Sequence, residues 1–399
     1  MDKQTSSALY DAIIVGGGPS GSTAANDLAS TGHKVLLLDR AGRIKPCGGA
    51  IPPRLISDFE IPDSLLVAKA RSARMISPSD RRVDMPIEGG FVGMVDREHF
   101  DEWLRVRAAL AGAERRTGTF RRLIQNDDGT CTVEFDAQGP CSARARVVIG
   151  ADGAKSQVAQ QSIKNADRMK YVFAYHEIVR SPAADAVPKE EFDASRCDVY
   201  YRGSMSPDFY GWIFPHGETT SVGAGSAHKG FSIRKAVGDI RSVAGLADSE
   251  IVRREGAPIP MKPLGRWDNG RNIVLAGDAA GVVAPASGEG IYYAMAGGRF
   301  AAEATTEFLR TGDASALKLA RKRFMSQHGR VFWILGIMQK FWYSSDKRRE
   351  RFVSICRDPD VQRLTWEAYM HKRLVRSQPM AHVRIFFKDL AHLMGVVRP

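Results

Sequence analysis

The regular pattern of the chain begins with a short apolar run, residues 10–15 (YDAIIV), which breaks at GGGPSG, residues 16–21. Residues 22–30 follow with small side chains on one helical face, and a second apolar run at 33–38 ends in Asp39. Short apolar runs bounded by glycine predict buried strands, and the periodic stretch between them predicts a helix. Strand, glycine turn, helix, strand is the opening of a nucleotide-binding βαβ unit. The Gly- and Pro-rich stretch KPCGGAIPP at 45–53 predicts irregular backbone. Helical periodicity returns at 96–104, and ARVVIG at 145–150 predicts a strand feeding Ala151, Asp152 and Gly153. From 171 to 225 the pattern alternates as β-sheet, marked by Val199, Tyr201, Tyr210, Trp212 and Phe214. NIVLA at 272–276 predicts another buried strand, running into Gly277, Asp278 and a long helix from about Gly290. After 308 the pattern is helical and basic to the end, and no internal repeat interrupts it.

With 399 residues, the chain exceeds one usual domain. Its 44% hydrophobic and 26% charged residues exclude wholesale disorder, collagen and coiled coil. Five cysteines, odd in number and without a CxxC pair, argue against a disulfide framework and a metal cluster, so no metal site and a reducing, cytoplasmic setting are expected. The formal charge of +12 is concentrated near the end, where residues 321–399 hold 17 Lys and Arg against 6 Asp and Glu. Solvated helices, nucleic acid or an anionic membrane surface would each account for that. The absence of a recognised binding module makes nucleic acid the weakest of the three. VFWILGIMQKFWY, 331–343, is too short and polar to span a bilayer and predicts a buried or interfacial helix. Neither secretory signal nor transit peptide is evident at the N-terminus, which suggests a bacterial protein.

Gly16, Gly18 and Gly21 fit GxGxxG: the first permits the tight turn, the second close approach of backbone to a pyrophosphate, the third close packing of helix on strand. Asp39, 18 residues beyond Gly21, can accept both ribose hydroxyl hydrogens and would repel a ribose phosphate, so the bound nucleotide is FAD or NAD. A second turn, GDAAGVVAPASGEG from Gly277, places Asp278 at a strand end and Gly288 and Gly290 before a helix. That arrangement suits a carboxylate on the ribityl hydroxyls and a helix N-terminus near a flavin ring, which selects FAD.

With these pieces, and with IGADGAKS at 149–156 and LAGDAAG at 275–281, the chain resembles the flavoprotein family of aromatic hydroxylases and geranylgeranyl reductases. The resemblance implies an α/β fold: a discontinuous Rossmann-type FAD-binding domain (1–70, 95–165, 260–315), an inserted β-rich substrate domain (71–94, 166–259) and a basic helical C-terminal region (316–399). It assigns the FAD to Gly16, Gly18, Pro19, Ser20, Gly21, Asp39 and Arg40, to Cys47, Gly48 and Ala50, to Arg97, and to Asp278, Gly288, Gly290 and Ile291. Tyr210, Trp212, Phe214 and Pro215, followed by Gly223 and Gly225, match the YxWxFPx7GxG signature of geranylgeranyl reductases. In that family this stretch lines a tunnel for the prenyl chain, whereas on pattern alone it reads as a core face. The 45–53 loop and TWEAY, 365–369, resemble the (bacterio)chlorophyll branch, the P-subunit type of pigment synthesis.

The resemblance implies reduction of three of the four double bonds of a geranylgeranyl chain, on the pigment or as the free diphosphate, with NADPH as transient hydride donor. An isolated alkene has no carbonyl to absorb charge, so protonation leads or accompanies hydride transfer and a proton donor is required. Cys47 is the first candidate, with His216 and Glu289 behind it; a loop residue packed on the flavin is the plainer reading of Cys47. The charge and apolar run also imply peripheral association with an anionic inner or photosynthetic membrane. A flavin monooxygenase and a non-catalytic prenyl escort are the competing functions.

Overall fold

The apolar run near the N-terminus lengthens into a strand, Gln4–Val15, at the centre of a seven-stranded sheet in the computed structural model. The structure describes residues 4–40, 42, 44–183 and 186–372. Val35–Asp39 lies parallel on one side of the central strand and Pro140–Gly150 parallel on the other, with Ile273–Leu275 parallel to the end of the latter. Glu114–Thr117 extends the parallel side, and Cys131–Asp136 and Thr119–Gln125 complete the sheet antiparallel. Ile13, Ile14, Leu36, Leu37, Val148 and Ile149 are fully buried, as expected of parallel strands covered on both faces. The following helix starts at Pro19 and not at residue 22, because proline's fixed φ and missing N–H suit a first turn.

The chain groups into two compact units. Among the described residues, one holds 4–45, Glu98–Tyr171 and Pro258–Trp333; the other holds Pro46–Arg97, Val172–Ala257 and 334–372. The family resemblance implies that residues 46–70 belong, with 1–45, to the nucleotide domain. They join the second unit because Ala50–Ile51 and Leu66–Ala70 both pair with Val92–Val95 in a small sheet. The 45–53 loop is thus less irregular than its glycines and prolines predict.

In the second unit a larger sheet runs in the order Ile251–Pro260, Tyr171–Arg180, Thr219–Ser226, Gly211–His216, Arg196–Tyr200, Ser72–Ile76, Arg82–Pro86. One face carries Ile76, Val179, Ile213 and Val222 against Val237 and Ile240 of the helix Ile233–Val243. Period-2 alternation then turns Trp212 and Phe214 to the opposite face. The basic C-terminal stretch forms helices Lys318–Trp342, Asp346–Ile355 and Pro359–His371. The helical expectation beyond Lys372 lies outside the described residues. Among the described residues, no helix is long and apolar enough to cross a membrane.

Candidate functional site

The GGGPSG turn separates two kinds of glycine. Gly16 has φ of +109° and faces the Ala151 carbonyl, and a Cβ at Gly21 would overlap the Gly16 carbonyl, so both are demanded by the backbone. A Cβ at Gly18 meets nothing within 4 Å. Pro19 and Ser20 are buried in the first turn, and Ser20 Oγ has no hydrogen-bond partner among the described residues. Gly277 and Gly298 both close on Ser20, so the second glycine turn and the long helix Ile291–Thr311 pack directly on the first turn.

Asp39 ends its strand beside Gly17, whose N–H hydrogen-bonds to the carboxylate, as does that of exposed Arg40. Burial raises the Asp39 carboxyl above its usual range, opposed by those N–H groups and by Arg105, whose Nη1 is 3.4 Å away. Arg105 also donates to the Gly17 carbonyl at 3.2 Å. Nothing in the sequence distinguished Arg105 from other helix arginines; only folding brings it to the turn.

Asp278 is buried in the short turn Gly277–Ala280, with Lys45 Nζ 2.5 Å from its Oδ2. Sequence reasoning named Asp278 and missed Lys45, 233 positions away. Gly288 (φ +65°) and Gly290 lead into buried Ile291, and the helix it starts has no side-chain cap. The helix Pro19–Ser30 lacks one too. Two uncapped N-termini, open space at Gly18 and an unpartnered buried hydroxyl fit an anionic dinucleotide such as FAD.

Residues 14–54 match the NAD(P)-binding Rossmann-like domain family, and residues 65–323 match the FAD binding domain family. The chain is 59% identical to the geranylgeranyl diphosphate reductase of Rhodobacter capsulatus, over 98% of this chain and 99% of that protein. It is 35% identical to the chloroplastic geranylgeranyl diphosphate reductase of Oryza sativa, over 96% of this chain and 85% of that one. The chain belongs to the geranylgeranyl diphosphate reductase family. Its fold is shared with a crystal structure of a geranylgeranyl bacteriochlorophyll reductase-like protein from Thermoplasma acidophilum, with a TM-score of 0.80, 23% identity and coverage of 95% and 100%. This member of the family is an FAD-dependent reductase.

In the second unit of this reductase the 45–53 loop folds onto the strand Gly211–His216. A Cβ at Gly48 would sit 3.0 Å from the Phe214 ring, and one at Gly49 (φ +71°) would overlap the His216 imidazole. Half-buried Cys47 is a free thiol that accepts the Gly49 N–H at 3.4 Å, and Ala50 pairs with Met94. His216 Nδ1 is 2.9 Å from the Phe214 carbonyl, which only accepts, so the proton is on Nδ1 and Nε2 turns to Gly49. Burial holds the His216 imidazole below its ordinary range. Glu289, the third donor candidate, belongs to the first unit, and Arg97 is buried at the start of the helix Arg97–Leu110.

Aromatic rings continue along the same sheet face. Phe214 and Trp212 are 6.2 Å apart, Trp212 and Tyr210 6.0 Å, Tyr210 and Tyr201 6.2 Å, and Tyr201 meets Phe352 at 5.0 Å and Tyr343 at 5.3 Å. Phe214 also packs with Trp366 and Tyr369 of the TWEAY segment around Cys197 and Met94. Pro215 is buried in the strand. Gly223 stands in register with Trp212, leaving room for the indole, and Gly225 does the same for Phe209. Both glycines shape the aromatic ladder and belong to its packing.

Proposed function

We propose that this reductase saturates three of the four double bonds of a geranylgeranyl chain to phytyl, with NADPH as the electron source. The observation that carries the proposal is the closure of the 46–53 loop onto the strand bearing Trp212 and Phe214: two motifs more than 150 positions apart meet so closely that a Cβ at Gly49 would overlap the His216 imidazole and one at Gly48 would crowd the Phe214 ring. Gly16, Gly18, Pro19, Ser20, Gly21, Asp39, Arg40, Asp278, Gly288, Gly290 and Ile291 of the first unit would hold FAD, which would supply hydride chemistry when bound. Tyr210, Trp212 and Phe214 form the apolar wall for the prenyl chain, with Gly223 and Gly225 shaping it from the next strand, whereas Pro215 shares the parity of Ile213 and belongs to the opposite face of the sheet.

Each saturation adds one hydride and one proton. Protonating a trisubstituted alkene leaves a tertiary cation, and the faces of Tyr210 and Trp212 stabilise positive charge beside them. Cys47 is the first candidate for the proton donor: it adjoins Gly48, where an added Cβ would lie 3.0 Å from the Phe214 ring. His216 is a poorer one, because burial disfavours its imidazolium and its single N–H is committed to the Phe214 carbonyl. Anaerobic incubation with NADPH and geranylgeranyl diphosphate, or a geranylgeranylated (bacterio)chlorophyll, followed by mass analysis tests the reaction. Gains of two, four and six hydrogens are expected; oxygen-dependent product alone would replace this function by a monooxygenase.

The proposal extends to a peripheral seat on an anionic bacterial membrane, where a prenylated pigment would reside. The helix Lys318–Trp342 exposes Trp333 and Ile337 one turn apart, with exposed Arg330 and Lys340 flanking them. Apolar side chains ringed by basic ones suit an acidic lipid surface.

A further inference from the structure

Trp212 is held by a chain of buried polar groups within its own sheet. Its Nε1–H donates to Ser221 Oγ at 3.1 Å, and Ser221 Oγ lies 2.9 Å from His176 Nδ1. His176 Nε2 is 2.9 Å from Glu255 Oε2, and Glu255 Oε1 is 2.6 Å from Arg253 Nε. Ser221 and His176 are buried, and the Glu255 side chain is 10% exposed. The four strands Gly211–His216, Thr219–Ser226, Tyr171–Arg180 and Ile251–Pro260 each contribute one step or more.

The chain has one fully satisfied direction. Ser221 accepts from the indole and has a single hydrogen to give, which goes to His176 Nδ1. With Nδ1 accepting, His176 carries its proton on Nε2 and donates it to Glu255. Burial raises the Glu255 carboxyl, but His176 and Arg253 outweigh it and leave it below the usual glutamate range. A plain core face needs none of this: phenylalanine at 212 would pack without a partner, and a partly satisfied buried network costs more than apolar packing. Gly223 clears the space for the ring, and Ser221 fixes the direction of its N–H.

We infer that Ser221, His176 and Glu255 are positioning residues that lock the Trp212 indole plane and thereby set the register in which the prenyl chain is held for each successive reduction. The inference rests on the assignment of Trp212 to the prenyl wall. An indole free to tilt lets the chain slip by part of an isoprene unit, so the residues control how completely the chain is reduced.

The test is product analysis of the FAD-loaded full chain with NADPH and geranylgeranyl diphosphate, comparing wild type, Ser221→Ala, Trp212→Phe and the double variant. Ser221→Ala should raise the share of partially reduced products about two- to tenfold, the range one buried hydrogen bond supports, while flavin reduction by NADPH keeps its wild-type rate. In the Trp212→Phe background the same substitution should add nothing, because its route to the substrate is gone. Glu255→Leu, which cuts the far end of the chain, should shift products in the same direction. Additive effects of Ser221→Ala and Trp212→Phe, or a wild-type product pattern in both Ser221→Ala and Glu255→Leu, would overturn the positioning role alone. Unchanged products in Trp212→Phe would overturn the prenyl wall and this inference together.

Discussion

An added Cβ at Gly18 meets nothing within 4 Å, whereas one at Gly48 would stand 3.0 Å from the Phe214 ring and one at Gly225 2.7 Å from the Phe209 ring. The first unit and the second both carry glycines at their candidate sites, and Gly18 and Gly48 use the missing side chain in opposite ways. At Gly18 the missing side chain leaves open space, in the same turn as the unpartnered Ser20 hydroxyl, while Gly16, Gly17 and Gly21 close on the chain itself. At Gly48, Gly49, Gly223 and Gly225 it leaves room for the chain's own rings. A glycine motif therefore says that volume is needed; its neighbours say for whom. The two sites also differ in polarity. The first is built from backbone N–H groups and the Asp39–Arg105 and Asp278–Lys45 pairs, and the second from a ladder of aromatic rings with one buried polar chain behind it.

Substitutions that treat the glycines as equivalent should break or sharpen that contrast. The largest effect is expected from Gly21→Ala, whose Cβ overlaps the Gly16 carbonyl: a loss of about 3 kcal/mol or more of stability and protein purified without flavin colour. Gly18→Ala should instead unfold near the wild-type temperature and still release FAD more readily. Thermal unfolding monitored together with flavin absorbance separates the two, and matched losses of stability would erase the distinction. Next, Cys47→Ser should slow anaerobic oxidation of the reduced enzyme by prenyl substrate by about a hundredfold, the scale of a lost general acid, while NADPH reduces the flavin normally. An unchanged single-turnover rate removes Cys47 from proton delivery.

Asp278→Ala should raise the FAD dissociation constant by about ten- to a hundredfold, as expected for losing a hydrogen-bonded charge, and leave Lys45 without this partner. Full flavin occupancy through serial dilution would show that the turn does not bind the cofactor. The smallest effect concerns the membrane: Lys340→Gln should weaken co-flotation with anionic vesicles about fivefold at low salt, since one basic residue near such a surface contributes about 1 kcal/mol. Equal binding to neutral vesicles would count against an electrostatic seat.

Local pattern carried much of this molecule. The strands at 10–15, 145–150 and 272–276, the helix after GGGPSG and the alternation through Tyr210, Trp212 and Phe214 are all visible in the sequence, because burial periodicity and turn chemistry act over a few residues. The resemblance of GGGPSG, LAGDAAG and YxWxFP to family motifs implied the fold and the cofactor. Tertiary structure alone decided which groups meet across the chain: Lys45 on Asp278, Arg105 on Asp39, the 45–53 loop on Phe214 and His216, and Ser221, His176 and Glu255 behind Trp212. These contacts join residues that a sequence pattern treats as independent. Strand register brings Ser221 and His176 behind Trp212 and Gly223 under its ring, and loop and helix packing bring Lys45 to Asp278 and Arg105 to Asp39.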